Sequence, residues 1–108
     1  MAYLYIVLCE GNTYYTGIAV DINRRLAEHM ERGKKCARYT RAHPVKRLVA
    51  LWQTDSYAHA AKGEYAVKKL SRSKKEYLIR HPEQLCLMCP ALNLLEFKVC
   101  EFAALDDE

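Results

Sequence analysis

The sequence lacks the features of an exported or membrane-inserted protein. No apolar run approaches the roughly 20 residues that a membrane-spanning helix needs. The first residues lack the basic stretch and the small-residue cleavage site of a secretory signal, and low-complexity tracts are also missing. The five cysteines are an odd number, which favours reduced thiols over a disulfide framework in a chain without an export signal. These absences predict a cytoplasmic protein that does not bind membranes.

One folded domain is expected from the length and the hydrophobic content. The 108 residues are enough for a single core of ordinary size and too few for two independent cores. Hydrophobic residues make up 51% of the chain and alternate with charged ones, so their burial can offset the loss of chain entropy. We assign the domain to residues 1–82 and predict that residues 83–108 form an extension that packs on it or on a second copy.

Positive and negative charges are separated along the chain. Residues 1–82 contain 16 Lys and Arg against 7 Asp and Glu, whereas residues 83–108 contain 1 against 6. A basic body is typical of proteins that bind the phosphate backbone of nucleic acids, although an ordinary solvated surface has the same composition. The basic side chains cluster at Arg24, Arg25, Lys34, Lys35, Arg38, Arg41, Lys46 and Arg47, and again at Lys68, Lys69, Arg72, Lys74 and Lys75.

Hydrophobic periodicity and cap residues predict the element order ββαβαα followed by the extension. The fold class is α+β, with a small three-stranded antiparallel sheet flanked by helices. The predicted strands cover residues 3–9, 13–18 and 45–52. The predicted helices run from Asp21 to about Arg32, from Ser56 to about Leu70 and from a capping box at Ser73 and Glu76 to His81, with Gly33 as the stop of the first helix and a basic loop after it.

The loop of the predicted hairpin decides whether Tyr5 and Tyr15 lie on the same face of the sheet. Side chains alternate along a strand, so a two-residue turn would put the two phenols on opposite faces. A three-residue loop at residues 10–12 instead pairs Val7 with Tyr15 and Tyr5 with Gly17. We predict the three-residue loop, and we expect Gly17 to leave space for a substrate in front of the Tyr5 hydroxyl because it has no side chain.

The first predicted helix contains two sets of residues spaced four apart, a buried row and a candidate functional pair. Ile22, Leu26 and Met30 form the predicted buried row. Arg25 and His29 are also four apart and would project together at the edge of the core. An arginine there can neutralise a phosphate group and a histidine can transfer a proton near neutral pH. Each also has a structural alternative, as a solvated arginine and as a core histidine.

A carboxylate in the second long helix is a candidate metal ligand. Glu64 falls on the helical row of Tyr57, Ala60 and Val67, which we predict to face inward. A carboxylate on such a face is costly unless it is paired or binds a cation. The alternative is a surface ion pair with Lys68, four residues on. One carboxylate suits Mg²⁺, which keeps several waters and binds phosphate oxygens.

The extension contains Cys86 and Cys89 in a CxxC spacing, which suggests a second metal site. His81 and Cys100 would have to supply the other two ligands of a zinc ion. Their spacing is irregular and the neighbouring residues are apolar, so buried thiols are the alternative that the sequence favours.

These motifs together resemble the GIY-YIG nucleases, in particular the small stand-alone members that consist of little beyond the nuclease module. The resemblance covers roughly residues 3–80. Both signature tyrosines and the final glycine are present, while the first glycine and the middle isoleucine of the second tripeptide are replaced. The tripeptides read Tyr3-Leu4-Tyr5 and Tyr15-Thr16-Gly17, the family's helix arginine, histidine and metal-binding glutamate fall on Arg25, His29 and Glu64, and Thr40-Arg41 and Leu70-Ser71-Arg72 also look like the stand-alone members.

The resemblance implies hydrolysis of a nucleic-acid phosphodiester by an in-line water, with one Mg²⁺ or Mn²⁺ ion held by Glu64. It implies that Tyr5 is the general base or its partner and that Tyr15 orients the water or the phosphate. It also implies that Arg25 stabilises the phosphorane and that His29 assists proton transfer. Tyr5 needs this assistance because a phenol with a pKa of about 10 is a weak base at pH 7.

The substrate is predicted to be DNA, with single-stranded or structured DNA favoured over plain duplex and RNA left open. The recognition domains of larger relatives are missing, so binding would depend on charge and on stacking in a basic groove. DNA repair, recombination and DNA uptake are the expected roles, for a monomer or a homodimer. The residues expected to contact the substrate are Gly17, Arg24, Arg38, Tyr39, Arg41, Lys68 and Arg72.

Two non-enzymatic functions compete with this interpretation. A nucleic-acid-binding adaptor would keep the fold without the chemistry, and a protein-binding module would use the acidic extension. The presence of Tyr5, Tyr15, Arg25, His29 and Glu64 favours the enzyme.

Overall fold

A computed structural model describes residues 1–31 and 38–102, with only the backbone of Arg38, and confirms the α+β fold class. None of the helices in these residues has the length and apolar character needed to cross a bilayer. Single 3₁₀ turns at Pro82–Gln84 and Pro90–Leu92 flank the last helix. The strands are β1 (Ala2–Cys9), β2 (Thr13–Ala19), β3 (Val45–Thr54) and β4 (Lys98–Val99), and the helices are α1 (Ile22–Glu31), α2 (Arg38–Ala42), α3 (Tyr57–Lys68), α4 (Arg72–Arg80) and α5 (Leu85–Met88).

The sheet is antiparallel throughout and has the strand order β2-β1-β3-β4. In the β1–β2 hairpin Tyr5 lies opposite Gly17, which confirms the predicted three-residue loop. Gly11 and Asn12 in that loop have φ values of 84° and 59°. Glycine and asparagine tolerate this left-handed backbone better than other residues, so the loop sequence fixes the register of the hairpin.

The prediction of three strands is wrong, because the extension supplies a fourth. Strand β4 pairs with β3 through Trp52 and Val99. Just beyond it, the amide of Cys100 donates a hydrogen bond of 2.9 Å to the carbonyl of Leu51. A strand of two residues is too short for alternation to reveal in the sequence, so its position depends on long-range packing.

Two of the three predicted helix caps are confirmed and one is wrong. The side chains of Asp21 and Ser56 each accept a hydrogen bond of 3.1 Å from an amide three residues on, at the start of α1 and α3. Helix α4 is capped by Ser71, which accepts from the amide of Lys74, and not by Ser73. Ser71 has the extended backbone of a cap residue, whereas Ser73 already lies in the first turn.

The predicted buried row of α1 is confirmed at Ile22 and Leu26, which pack against the core, and is wrong at Met30. Met30 is 47% exposed, whereas His29 is fully buried and takes its place in the interior. The segment predicted as a basic loop contains α2. The predicted helix end at Arg32 and its stop at Gly33 lie outside the described residues.

Hydrophobic side chains pack on both faces of the sheet. On one face, Leu4, Ile6 and Trp52 pack with residues of α3, α4 and the extension. On the other face, Tyr5 and Val7 pack with residues of α1 and of β3. Ile22 and Leu26 of α1 pack on this second face, and His29 reaches Tyr5 there.

The described part of the extension is packed into the core of the domain. Leu92 is 1% exposed. The indole of Trp52 donates a hydrogen bond of 2.9 Å to the carbonyl of Pro82. A Cβ atom on Gly63 would lie 2.9 Å from the ring of Phe97, so α3 approaches the extension closely because it has a glycine there. Removing these contacts would open one face of the sheet to water.

Substitution of Leu92 by alanine is expected to destabilise the fold by about 2–5 kcal/mol, because it leaves a cavity in a fully buried site. Leu94, two residues away and 93% exposed, provides the matched control. Leu94→Ala is expected to change the free energy of unfolding by less than about 0.5 kcal/mol. Urea denaturation measures both, and equal values would show that the extension is not part of the core.

Candidate active site

Tyr5 extends over β2 because Gly17 has no side chain. The two residues are register partners, and a Cβ atom on Gly17 would lie only 2.6 Å from Cζ of Tyr5. Tyr5 is 1% exposed. The expectation that Gly17 leaves space for a substrate is therefore wrong, since the phenol ring of Tyr5 itself occupies that space. The glycine instead allows the hydroxyl to reach the side chains that α1 brings to this face.

A chain of hydrogen bonds connects Tyr5 to α1 and α2. The Tyr5 hydroxyl lies 2.8 Å from Nε2 of His29, and Nδ1 of His29 lies 2.8 Å from Oγ1 of Thr40. Both His29 and Thr40 are fully buried. Burial, reinforced by the positive charge of Arg25, lowers the pKa of His29 to about 4. Burial also raises the pKa of Tyr5 well above its ordinary value, so both groups are uncharged at neutral pH.

Arg25 places a positive charge beside this chain. Its guanidinium lies 2.8 Å from a carboxylate oxygen of Glu28 and is near enough to Tyr5 to oppose, in part, the rise in the Tyr5 pKa that burial causes. Arg24 forms a second ion pair of 3.4 Å with the same Glu28. An open groove of about 500 Å³ is lined by both arginines. Asp21 and Glu28 line it as well, so a phosphate group there would meet two guanidinium groups that already pair with Glu28.

Tyr15 begins an aromatic stack that leads from the buried pair to the surface. Its ring centroid lies 6.4 Å from that of Tyr5 and 5.5 Å from that of His29. The ring of Tyr39 stacks on Tyr15 at 5.9 Å and 19°, and the ring of His43 stacks on Tyr39 at 4.4 Å and 17°. Tyr39 lies on α2 and His43 directly follows it, so this short helix forms one wall of the site.

Glu64 reaches the site from α3 and forms an ion pair with Lys68, which was the alternative to a role as a metal ligand. Its carboxylate lies 3.2 Å from the ammonium group of Lys68. That ammonium group is in turn 5.8 Å from the centre of the Tyr15 ring. The predicted inward row is wrong at Tyr57, which is 55% exposed. Glu64 thus lies at the boundary between the core and the solvent, near Tyr15.

The donor atoms of the site fit an ion that keeps part of its water shell. No group of three or more His, Cys, Asp and Glu side chains within residues 1–31 and 38–102 is arranged to hold a metal ion. Glu64 nevertheless supplies one partly exposed carboxylate, close enough to add to the rise in the pKa of Tyr5 that burial causes. Mg²⁺ and Mn²⁺ commonly bind through one carboxylate, water and phosphate oxygens, so they suit this donor set.

The structure does not bring Arg72 to the tyrosine pair. Its guanidinium carbon lies 4.9 Å from the centre of the Tyr14 ring, and its Nε lies 3.1 Å from the carboxylate of Glu76. Tyr14 packs with the other face of the sheet from Tyr15. Of the remaining predicted substrate contacts, Arg41 is exposed on α2, and the side chain of Arg38 lies outside the described residues.

Sequence reasoning missed three side chains that contact the predicted residues. Thr40 was noted only as part of a motif, and Glu28 and His43 were not identified. His43 lies four residues after Tyr39. This spacing indicates contact between the two side chains only if a helix is predicted there. Glu28 lies three residues after Arg25, a spacing that also favours an ion pair on a helix.

The predicted zinc ligands are not assembled into a metal site in the described part of the chain. Cys86, Cys89 and Cys100 are free thiols there, and burial raises the pKa of each. His81 pairs with Glu83 at 3.9 Å instead. Cys89 is buried, as the alternative interpretation expected, whereas Cys86 and Cys100 are partly exposed.

The burial of His29 predicts a pH dependence of stability. Its pKa of about 4 in the folded protein is below the unfolded value of about 6.5, so the unfolded chain binds more protons between these values. Stability should therefore be complete above pH 6.5 and fall by up to about 3 kcal/mol as the pH falls to 4. Urea denaturation should show this loss in the wild type and in His81→Gln, but a flatter profile in His29→Gln. Equal profiles for all three proteins would contradict the buried, neutral imidazole.

Comparisons with known proteins identify the family of this chain. A family model described as the GIY-YIG catalytic domain matches residues 1–77. The UPF0213 protein BH0048 of Halalkalibacterium halodurans is 44% identical over 77 residues, which are 71% of this chain and 80% of that protein. A UPF0213 protein of Syntrophus aciditrophicus is 42% identical over 84 residues, covering 77% of this chain and 95% of the relative. A solution NMR structure of UPF0213 protein BH0048 from Bacillus halodurans has 44% identity and a TM-score of 0.48, and the match covers 74% of this chain and 84% of that one. The chain belongs to the GIY-YIG nuclease family, among relatives that are small UPF0213 proteins.

Proposed function

We propose that the protein is a divalent-metal-dependent endonuclease that hydrolyses phosphodiester bonds in DNA. The observation that carries the proposal is the convergence of Tyr5, His29 and Arg25 on one hydrogen-bonded centre, with Glu64 nearby. Three of these residues are buried or half-buried polar groups, which are costly unless function or pairing retains them. Arg25 also lines a groove with room for a phosphate group, and this arrangement fits nucleophilic attack on phosphorus.

In the proposed reaction a water attacks phosphorus in line with the leaving oxygen. The water gives its proton to the Tyr5 oxygen while Tyr5 gives its own proton to Nε2 of His29, 2.8 Å away. The nucleophile is then equivalent to hydroxide, and the bond from phosphorus to the leaving oxygen breaks. Burial raises the pKa of Tyr5 and lowers that of His29, so the transfer needs the negative charge of the phosphate to stabilise the imidazolium.

Arg25 stabilises the charge that develops on phosphorus during this attack. Its guanidinium is held by Glu28 at 2.8 Å, so it is oriented before the substrate binds. A positive group fixed in advance stabilises a transition state without a cost for reorganisation at that moment. Arg24 lines the same groove and contributes a second, more exposed positive charge.

Glu64 is the proposed ligand of one Mg²⁺ or Mn²⁺ ion, with the remaining positions left to water and phosphate oxygens. When bound, the ion would supply Lewis acidity and stabilise the leaving oxygen. Lys68 pairs with the Glu64 carboxylate at 3.2 Å and would have to yield one oxygen to the ion. This competition supports weak metal binding by the protein alone and tighter binding with substrate.

The preference for single-stranded or structured DNA is supported by the aromatic stack. Tyr39 is 36% exposed and is joined by His43 at the surface end of the stack. Unpaired bases stack on aromatic side chains with little dependence on sequence, whereas bases inside a duplex are not available for such contacts. Arg41, on the same helix, adds positive charge for the backbone.

The proposal is tested by cleavage of labelled single-stranded, hairpin and duplex oligonucleotides in Mg²⁺, Mn²⁺ and EDTA. We expect faster cleavage of the single-stranded and hairpin substrates and none in EDTA. Glu64→Gln should lower cleavage at least about 100-fold while retaining DNA binding, because the loss of the ion removes several kcal/mol of stabilisation. The matched control is Glu76→Gln, which removes a carboxylate that pairs with Arg72 away from the site.

Cleavage in EDTA, or an active Glu64→Gln protein, would contradict the metal-dependent mechanism. DNA binding without cleavage under every condition would instead favour the catalytically silent adaptor.

A further inference from the structure

Thr40 is a buried polar residue to which the proposed mechanism assigns no role. It lies on α2, is fully buried, and its hydroxyl is 2.8 Å from Nδ1 of His29. The other ring nitrogen of His29 contacts Tyr5, also at 2.8 Å. Both nitrogens of a single buried imidazole are therefore engaged by hydroxyl groups, one from the proposed reacting residue and one from a residue behind it.

The hydrogen bonds around Tyr5 indicate the direction of the chain. Arg25 is positively charged and has only donor groups, so its charge favours a phenol whose oxygen lone pairs, and not its proton, are directed toward the guanidinium. The Tyr5 hydroxyl is left to donate its own proton, and Nε2 of His29 lies within hydrogen-bond distance of it. A neutral imidazole carries one proton, so a ring that accepts at Nε2 donates at Nδ1.

We infer that Thr40 is a positioning residue that holds His29 as the tautomer with its proton on Nδ1, so that Nε2 can accept a proton from Tyr5. The Thr40 oxygen accepts the hydrogen bond from Nδ1 and fixes the plane of the ring. In the opposite tautomer, Nε2 would already carry a proton and could accept none from Tyr5. Thr40 would then act on the proposed hydrolysis without touching the substrate. The effect of Thr40 on kcat rests on the proposed function, whereas the tautomer of His29 does not.

Helix α2 carries both Thr40, which contacts His29, and Tyr39, which forms part of the wall of the site. Tyr39, the preceding residue, stacks on Tyr15 at 5.9 Å. Adjacent residues of one short helix thus contact the inner histidine and the outer tyrosine. A shift of α2 would change the ring orientation of His29 and the stacking of Tyr15 together.

The tautomer of His29 can be measured on the intact protein without substrate. In ¹⁵N-labelled protein at neutral pH, two-bond couplings between ring nitrogens and carbon-bound protons distinguish a proton on Nδ1 from one on Nε2, and loss of the signals in His29→Gln assigns them. We expect the proton on Nδ1 in the wild type and in Thr40→Ser, which keeps the hydroxyl. A wild-type proton on Nε2 would overturn the inference, whether or not the protein cleaves DNA.

Kinetics provide the second test. Thr40→Val keeps the shape of the side chain and removes the hydroxyl, so kcat should fall on the order of 10- to 100-fold, as for other groups that orient a catalytic imidazole, with KM changed less than about threefold. Thr40→Ser should restore kcat to within about threefold of the wild type. The matched control is Thr54→Val, which removes a buried hydroxyl that bonds the carbonyl of Glu96, far along β3, and should leave kcat unchanged.

A wild-type kcat in Thr40→Val, or a Thr40→Ser protein as impaired as Thr40→Val, would overturn the inference. If Thr40→Val does not fold, the wild-type spectrum and the activity of Thr40→Ser decide. A wild-type protein that cleaves no DNA would contradict the proposed function but would leave the tautomer measurement valid.

Discussion

Replacing Tyr5 by phenylalanine is expected to lower kcat by about 100- to 10,000-fold, the range that general acid–base catalysis contributes. The substitution removes the oxygen that lies 2.8 Å from Nε2 of His29 and keeps the ring that packs over Gly17. Leaving the buried imidazole without this partner should cost about 1–3 kcal/mol of stability, which the fold should tolerate. Single-turnover cleavage of a labelled oligonucleotide measures the loss.

The control for this substitution is Tyr3→Phe on the same strand. The Tyr3 hydroxyl accepts a hydrogen bond of 3.2 Å from the side chain of Gln53, outside the site. Its removal should leave cleavage within about threefold of the wild type, since surface polar contacts contribute little. If Tyr5→Phe were as active as Tyr3→Phe, Tyr5 could not be the group that transfers the proton.

Replacing Gly17 by alanine is expected to lower kcat at least about 100-fold, because a displacement of about 1 Å in a catalytic group can cost that much. The new Cβ would lie 2.6 Å from Cζ of Tyr5 and 3.0 Å from Cε2 of Tyr15, so both phenols would have to move. Overpacking of this kind should also destabilise the fold by about 1–3 kcal/mol. Cleavage and urea denaturation are measured on the same preparation.

Gly11→Ala separates the loss of stability from the loss of activity. Gly11 has a φ of 84°, and a methyl group added there would meet no atom of another segment within 4 Å, so alanine strains the backbone without touching the site. The cost should be about 1–2 kcal/mol, similar to that of Gly17→Ala. Equal losses of kcat in the two variants would contradict the claim that Gly17 acts by holding the tyrosines in place.

The sequence predicted the parts of the fold that depend on local rules. Loop length and strand alternation were sufficient to align Tyr5 with Gly17. Side-chain caps marked the starts of α1 and α3. The same local rules placed Arg25 and His29 on adjacent turns of one helix, and the structure brings both to Tyr5.

The parts that could not be predicted depend on contacts between distant segments. Helix α2 has five residues and no apolar periodicity, so its tyrosine and threonine had no predicted orientation. The full burial of His29, in place of Met30, follows from its hydrogen bonds to Tyr5 and Thr40. The face of the sheet on which Arg72 lies likewise depends on its contact with the ring of Tyr14.

Hydrolysis of phosphodiester bonds by this hydrogen-bonded site can be separated from DNA binding in a single experiment. Wild-type protein is mixed in excess with a labelled single-stranded oligonucleotide in Mg²⁺, with binding followed by fluorescence anisotropy and cleavage by gel in the same samples, beside Tyr5→Phe. We expect similar binding by both proteins, with cleavage by the wild type alone. Binding without cleavage by the wild type, or equal cleavage by both proteins, would contradict it.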